Sequence, residues 1–92
     1  MPKVTVKLHG VLKDSAGTGR VDMEGENLLD ILTRLGQNHG ERFRAVLFDE
    51  HGKVRSGHQL LLGTAYLDPR KLETVALRDG DMLHVMPPIA GG

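Results

Sequence analysis

Five histidines are the first residues to test for chemistry: His9, His39, His51, His58 and His84. Their spacings match no zinc pattern, and the chain has no cysteine to assist them. They read as surface histidines, and no metal ligand is assigned. Asp79 and Asp81 could serve as a general acid and base. They flank Gly80, however, and Asp-Gly-Asp is turn chemistry. Gly17-Thr18-Gly19 is too short for a phosphate loop, and no helix pattern with a lysine follows it. Arg42, Arg44 and Arg70-Lys71 read as solvated surface. Lack of cysteine also excludes a cysteine nucleophile and a disulfide scaffold. No catalytic residue is therefore assigned. What remains is the stretch Pro87-Pro88-Ile89-Ala90-Gly91-Gly92. The two prolines favour an extended chain, and the two glycines can adopt torsions closed to other residues. A diglycine by itself is more often a frayed end than a site. Its meaning depends on the elements that present it.

Those elements can be read from periodicity. Val4, Val6 and Leu8 alternate with Thr5, Lys7 and His9, a strand with one buried face. Val21 and Met23 alternate with Asp22 and Glu24, and the two runs read as an antiparallel hairpin across the loop Asp14–Gly19. Leu28, Ile31, Leu32 and Leu35 recur at helical spacing, with Asn27 as N-cap, Asp30 in the first turn and Gly36 as the expected stop. The run Ala45–Phe48 is apolar, and Asp49-Glu50-His51-Gly52 is a turn. Leu60-Leu61-Leu62 is a third strand whose register the pattern leaves open. Asp68–Thr74 is a connection broken by Pro69. After the Asp79-Gly80-Asp81 turn, Met82–Met86 form the last strand. Leu83 and Val85 share its inner face, and Pro87-Pro88 end its pairing. Met82, His84 and Met86 then share the other face, which either binds a partner or lies under a loop.

Bulk properties narrow the function class. The 92 residues allow one domain with a modest core. Twelve basic and twelve acidic residues cancel, and the three aromatics offer no stacking platform, so neither nucleic acid nor an anionic membrane is expected as a partner. No apolar run reaches the length of a membrane span, and the start Met1-Pro2-Lys3-Val4 lacks the apolar region of a signal peptide. A cytoplasmic monomer is expected. Strands, one main helix and further strands give an α+β fold with a mixed sheet, the helix packed on one face.

The last sixteen residues, LRDGDMLHVMPPIAGG, resemble the C-terminal signature of the molybdopterin and thiamine sulfur carriers, the MoaD/ThiS family. The stretch Leu8–Gly17 is similar to that family's first strand and following loop, and the helix follows at the expected distance. The chain's length and the Phe48–Gly52 hairpin look closer to the molybdopterin-synthase small subunit and the cysteine-synthesis carriers than to the thiamine carrier. Where the family commonly has an Asn-Gly turn after the third strand, this chain has Leu62-Gly63-Thr64. The resemblance implies a ubiquitin-like β-grasp over residues 1–86. In that fold the first and last strands lie parallel at the sheet centre. Residues 87–92 would form a flexible, extended tail.

It also implies a chemistry for the tail. A carboxylate is a poor electrophile, so the Gly92 carboxylate would be adenylated with ATP and then converted to a thiocarboxylate. Pro87, Pro88, Ile89, Ala90 and Gly91 would thread it into a partner's active site, and six residues can span at most ~20 Å. No cofactor would be bound by the chain itself, and ATP would be used by the partner. The implied partners are a ubiquitin-activating-type adenylyltransferase, a sulfurtransferase and a sulfur-accepting synthase. That synthase would be a molybdopterin synthase large subunit or a cysteine synthase homologue. The chain would be a sulfur-donor cosubstrate, not an enzyme. Two alternatives stay open: a ubiquitin-like modifier joined through Gly92 to target lysines, and a non-covalent β-grasp interaction domain.

Overall fold

Val4, Val6 and Leu8 are buried while Lys3 is exposed, so β1 (Lys3–Leu8) covers the core with one side only. The computed structural model describes residues 1–88 and pairs this strand antiparallel with β2 (Arg20–Glu24). Thr5 stands opposite Asp22 and Lys7 opposite Arg20. The expected hairpin is present, but its connection is not an open loop. Val11–Ala16 form a short helix, α1, anchored by the buried Leu12. Gly17, at φ 78°, closes it by donating its N–H to the Lys13 carbonyl. Turn-like composition concealed this helix: Asp14, Ser15 and Ala16 lie inside it, Gly17 caps it, and one buried leucine gives no period.

The second helix, α2 (Leu28–Leu47), starts where expected. The Asn27 side-chain oxygen accepts the Asp30 N–H at 2.9 Å, and the Asp30 carboxylate accepts the Glu26 N–H at 3.0 Å. Arg34 reaches back to Asp30 one turn away, at 2.9 Å. Leu28, Ile31, Leu32 and Leu35 are fully buried. The helix does not stop at Gly36. It kinks at Gly40, at φ 88° and ψ 172°, and continues through residues 41–47. Gly36 is a contact point instead. A Cβ there would meet the Arg44 Cγ and the Phe48 ring at 3.1 Å, so the returning segment packs over it. Phe43 and Leu47 thereby enter the core, and the Ala45–Phe48 run is helical up to Leu47. The Asp49–Gly52 turn follows. Asp49 accepts the N–H groups of His51 and Lys53, and Phe48 bridges to Val54.

β3 (Gln59–Leu62) and β4 (Ala65–Tyr66) form an antiparallel pair, and β3 also pairs antiparallel with β5 (Met82–Met86). Leu60 is its buried residue, opposite Val85, which settles the register of the leucine run. Pro69 opens a 3₁₀ segment, Pro69–Thr74, rather than breaking the chain, and Asp68 caps it. The sheet order is β2-β1-β5-β3-β4, with β1 and β5 parallel at its centre. Five strands and a main helix on one face make a ubiquitin-like β-grasp. Leu83 and Val85 are fully buried beneath α2 together with Val4, Val6 and Leu60. No helix among the described residues is long and apolar enough to cross a membrane.

Candidate functional site

β5 is the element on which the sequence places the site, and its start is tied to β1. The Gly80 N–H bonds the Lys3 carbonyl at 2.9 Å, and the Thr5 N–H bonds the Asp81 carbonyl at 2.9 Å. The Asp79 carboxylate accepts the Lys3 N–H, and the Asp81 carboxylate accepts the Arg78 N–H. Both carboxylates therefore serve backbone amides, one on β1 and one at the turn, and are not a free acid–base pair.

Alternation then sends Met82, His84 and Met86 to the face away from α2. Met82 is 37% exposed; His84 and Met86 are half-buried. Pairing puts Met82 beside Thr5, and His84 between Lys7 on β1 and Leu61 on β3. Met86 lies beside Gln59, and Tyr66 on β4 lies beside Leu61. The outer face thus holds an apolar strip of Met82, Met86, Leu61 and Tyr66, with Tyr66 69% exposed. Its β1–β2 side is charged, through Lys7, Arg20 and Asp22. Three successive leucines left the register open in the sequence, so the outward place of Leu61 follows only from its pairing with His84 and Tyr66.

His84 has a partner that strand-local reading does not supply. His9, just past β1, places its Nε2 3.0 Å from His84 Nδ1, with the rings stacked at 5.2 Å. Burial, then His84, then the ammonium groups of Lys7 and Lys13 hold His9 below its ordinary value of 6.5. His58 is not a surface histidine as expected. It is only 7% exposed, with Nδ1 bonded to the Arg55 carbonyl at 3.0 Å. Its backbone N–H also bonds the Arg55 carbonyl, and it directly precedes β3, where Leu60 enters the core. Among the described residues, no three metal-binding side chains cluster.

Beyond β5, Pro87 is half-buried and Pro88 exposed. Pro87 lies against Gly10 and Pro88 against Gly57. The sequence-assigned residues Ile89, Ala90, Gly91 and Gly92 lie outside the described residues. An open depression of about 640 Å³ sits elsewhere, lined by Thr33, Gln37, Arg44, Phe48 and Arg55 among others. None of its lining residues belongs to β5 or the proline pair. The described part of the site is thus a partly exposed strand face that ends at the proline pair, with no nucleophile–base pair among the described residues.

Known structures share this architecture. SAMP1 from Haloferax volcanii superposes with a TM-score of 0.85 at 24% identity, covering 98% of this chain and 99% of that one. Small archaeal modifier protein 1 from Methanosarcina acetivorans gives 0.80 at 29% identity, covering 100% and 98%. The Amycolatopsis orientalis BexX/CysO complex contains a chain matching at 0.78 and 24% identity, covering 97% and 99%. No curated protein sequence gives a significant match. The profile of the ThiS family matches residues 6–92, from within β1 through the diglycine, and the chain belongs to that family.

Proposed function

We propose that this chain is a sulfur carrier whose Gly92 carboxylate is adenylated and then converted to a thiocarboxylate. The observation that carries the reading is the placement of β5: it is held on both sides at the sheet centre, and in the sequence it is followed by the proline pair and then, after Ile89-Ala90, by the diglycine. Family membership supports it. In the first step a Gly92 carboxylate oxygen attacks the α-phosphorus of ATP. The bond to the bridging oxygen breaks and pyrophosphate leaves. In the second, a persulfide sulfur on a sulfurtransferase attacks the acyl carbon and AMP leaves. A thiol of the partner then cleaves the S–S bond, releasing the thiocarboxylate and a partner disulfide. The partner supplies positioning and charge stabilisation. The carrier supplies a rigid docking face and a reacting end, and is a cosubstrate rather than an enzyme.

The outer-face strip of Met82, His84 and Met86 is the surface that meets the adenylyltransferase. The sulfur acceptor is a biosynthetic synthase, with molybdopterin or cysteine formation the leading choices. The structural likeness to CysO in its complex with BexX supports docking of this fold to a protein partner. Likeness to two small archaeal modifier proteins favours a second reading, conjugation of Gly92 to target lysines. Intact mass spectrometry after incubation with the activating enzyme, ATP and a persulfide donor separates the two. Exchange of one oxygen for sulfur supports the carrier. Lysine adducts with no such exchange would replace it by the modifier, and neither product would leave the diglycine inert.

A further inference from the structure

Seven glycines among the described residues have positive φ: Gly10, Gly17, Gly40, Gly52, Gly57, Gly63 and Gly80. At five of them a Cβ would meet nothing within 4 Å. The other two face the proline pair. A Cβ on Gly10 would lie 2.9 Å from Pro87 Cγ, and one on Gly57 would lie 2.9 Å from Pro88 Cγ and 3.2 Å from its Cβ. A proline ring is closed onto its own backbone, so its carbons cannot swing aside without moving the chain.

Topology explains why these two glycines meet the exit. β1 and β3 are the two neighbours of β5. β1 runs parallel to β5, so Gly10, two residues past its end, arrives where β5 finishes. β3 runs antiparallel, so Gly57, two residues before its start, arrives at the same place. Both loops are tied down. His9 is bonded to His84 on β5, and the Gly10 carbonyl accepts the Asp14 N–H at 3.1 Å. On the other side the Arg55 N–H bonds the Leu47 carbonyl at 2.9 Å, and the buried His58 is bonded to the Arg55 carbonyl.

We propose that Gly10 and Gly57 are positioning residues: bare backbone on either side of β5 seats the rings of Pro87 and Pro88 and sets the direction in which the chain leaves the sheet. The kinetic consequence rests on the carrier reading above, whereas the direction itself does not. An acyl-adenylation site must receive the Gly92 carboxylate within a narrow range of distance and angle. A fixed departure at Pro88 restricts the geometries in which the chain can be presented to that site.

The test compares Gly57→Ala with Gly52→Ala in the full chain. Both add a methyl group at positive φ, but Gly52 has open space around it. Direction is read by a nitroxide on Gly91→Cys, which is a unique label because the chain has no cysteine. Amide broadening in the folded domain should move to a different set of residues in Gly57→Ala and stay with the parent's in Gly52→Ala. With the activating enzyme, Gly57→Ala should lower kcat for pyrophosphate release by about tenfold or more while KM stays near the parent's. In a Pro88→Gly background, which removes both the Cγ and the Cβ of the contact, Gly57→Ala should then cost no more than Gly52→Ala does. Pro87→Ala, which empties the Gly10 contact without straining the backbone, should widen the broadening pattern. Unchanged broadening in Gly57→Ala, or a kcat loss equal to that of Gly52→Ala, or the same loss with and without the Pro88 ring, overturns the proposal. Shifted broadening in a protein that is never adenylated would leave the positioning role standing and remove the carrier reading.

Discussion

At the scale of single residues, Gly92 carries the proposed chemistry. Gly92→Ala keeps a free carboxylate but adds a methyl group beside the reacting carbon and narrows the backbone torsions. Folding should be normal and thiocarboxylate formation sharply reduced. One residue added after Gly92 should be worse, since it moves the carboxylate by ~3.5 Å. Intact mass after sulfur loading checks both, and efficient loading of the untrimmed extended form would exclude Gly92 as the attachment site. Met86 tests docking. It is half-buried on the outer face, so Met86→Glu spoils an apolar contact without entering the core and should weaken adenylation while the melt persists. Parent-like adenylation kinetics in a folded Met86→Glu protein would remove this face from the interface. His9 gives a pH signature. Its folded-state value is held below the ordinary 6.5, first by burial and then by His84, Lys7 and Lys13. The unfolded chain therefore binds more protons in the window just below 6.5, so stability is full above that value and declines as pH falls through it. Thermal melts from about pH 7.5 to about pH 5.5 should show this decline, and His9→Asn should flatten it.

At the scale of elements, the sequence shows clearly what is periodic and hides what depends on partners distant in the chain. β1, β2 and β5 were legible because one face of each is apolar, and the first part of α2 because four leucine and isoleucine positions share a stripe. α1 was not, since Leu12 alone anchors it. The end of α2 was misplaced because Gly36 offers a stop signal, whereas the packing of Arg44 and Phe48 over it carries the chain through the Gly40 kink to Leu47. Of the candidate site, the parity of Met82, His84 and Met86 could be read from alternation. The His9–His84 pair could not, because it joins the loop after β1 to a strand far along the chain. The Gly10 and Gly57 contacts were hidden likewise, since each joins a loop to a proline many residues later. Gly40 gives the sharpest test at this scale. At φ 88° and ψ 172° its backbone suits glycine alone, so Gly40→Ala should cost of order 1–3 kcal/mol in urea unfolding. Gly36→Ala should also destabilise, through crowding of Phe48 rather than backbone strain.

At the scale of the whole molecule, the expected division into a domain of residues 1–86 and a tail of 87–92 meets the seating of Pro87 and Pro88 on Gly10 and Gly57. We therefore expect a chain ending at Pro88 to melt with the parent, whereas one ending at Met86 should melt slightly lower for want of two ring contacts. Differential scanning calorimetry of the two truncations checks this, and a large loss from the Pro88 truncation would show that the later residues support the fold. The central position of β5 has a mechanical consequence as well. A force applied at the C-terminus runs along β5, so it loads the hydrogen bonds to β1 and β3 in shear, all at once, instead of peeling them one at a time. An edge strand such as β4, with one neighbour and two residues, would yield bond by bond. A sheet held this way resists being unravelled from its C-terminal end, and an unfolding motor that engages that end must break two ladders before it gains any slack.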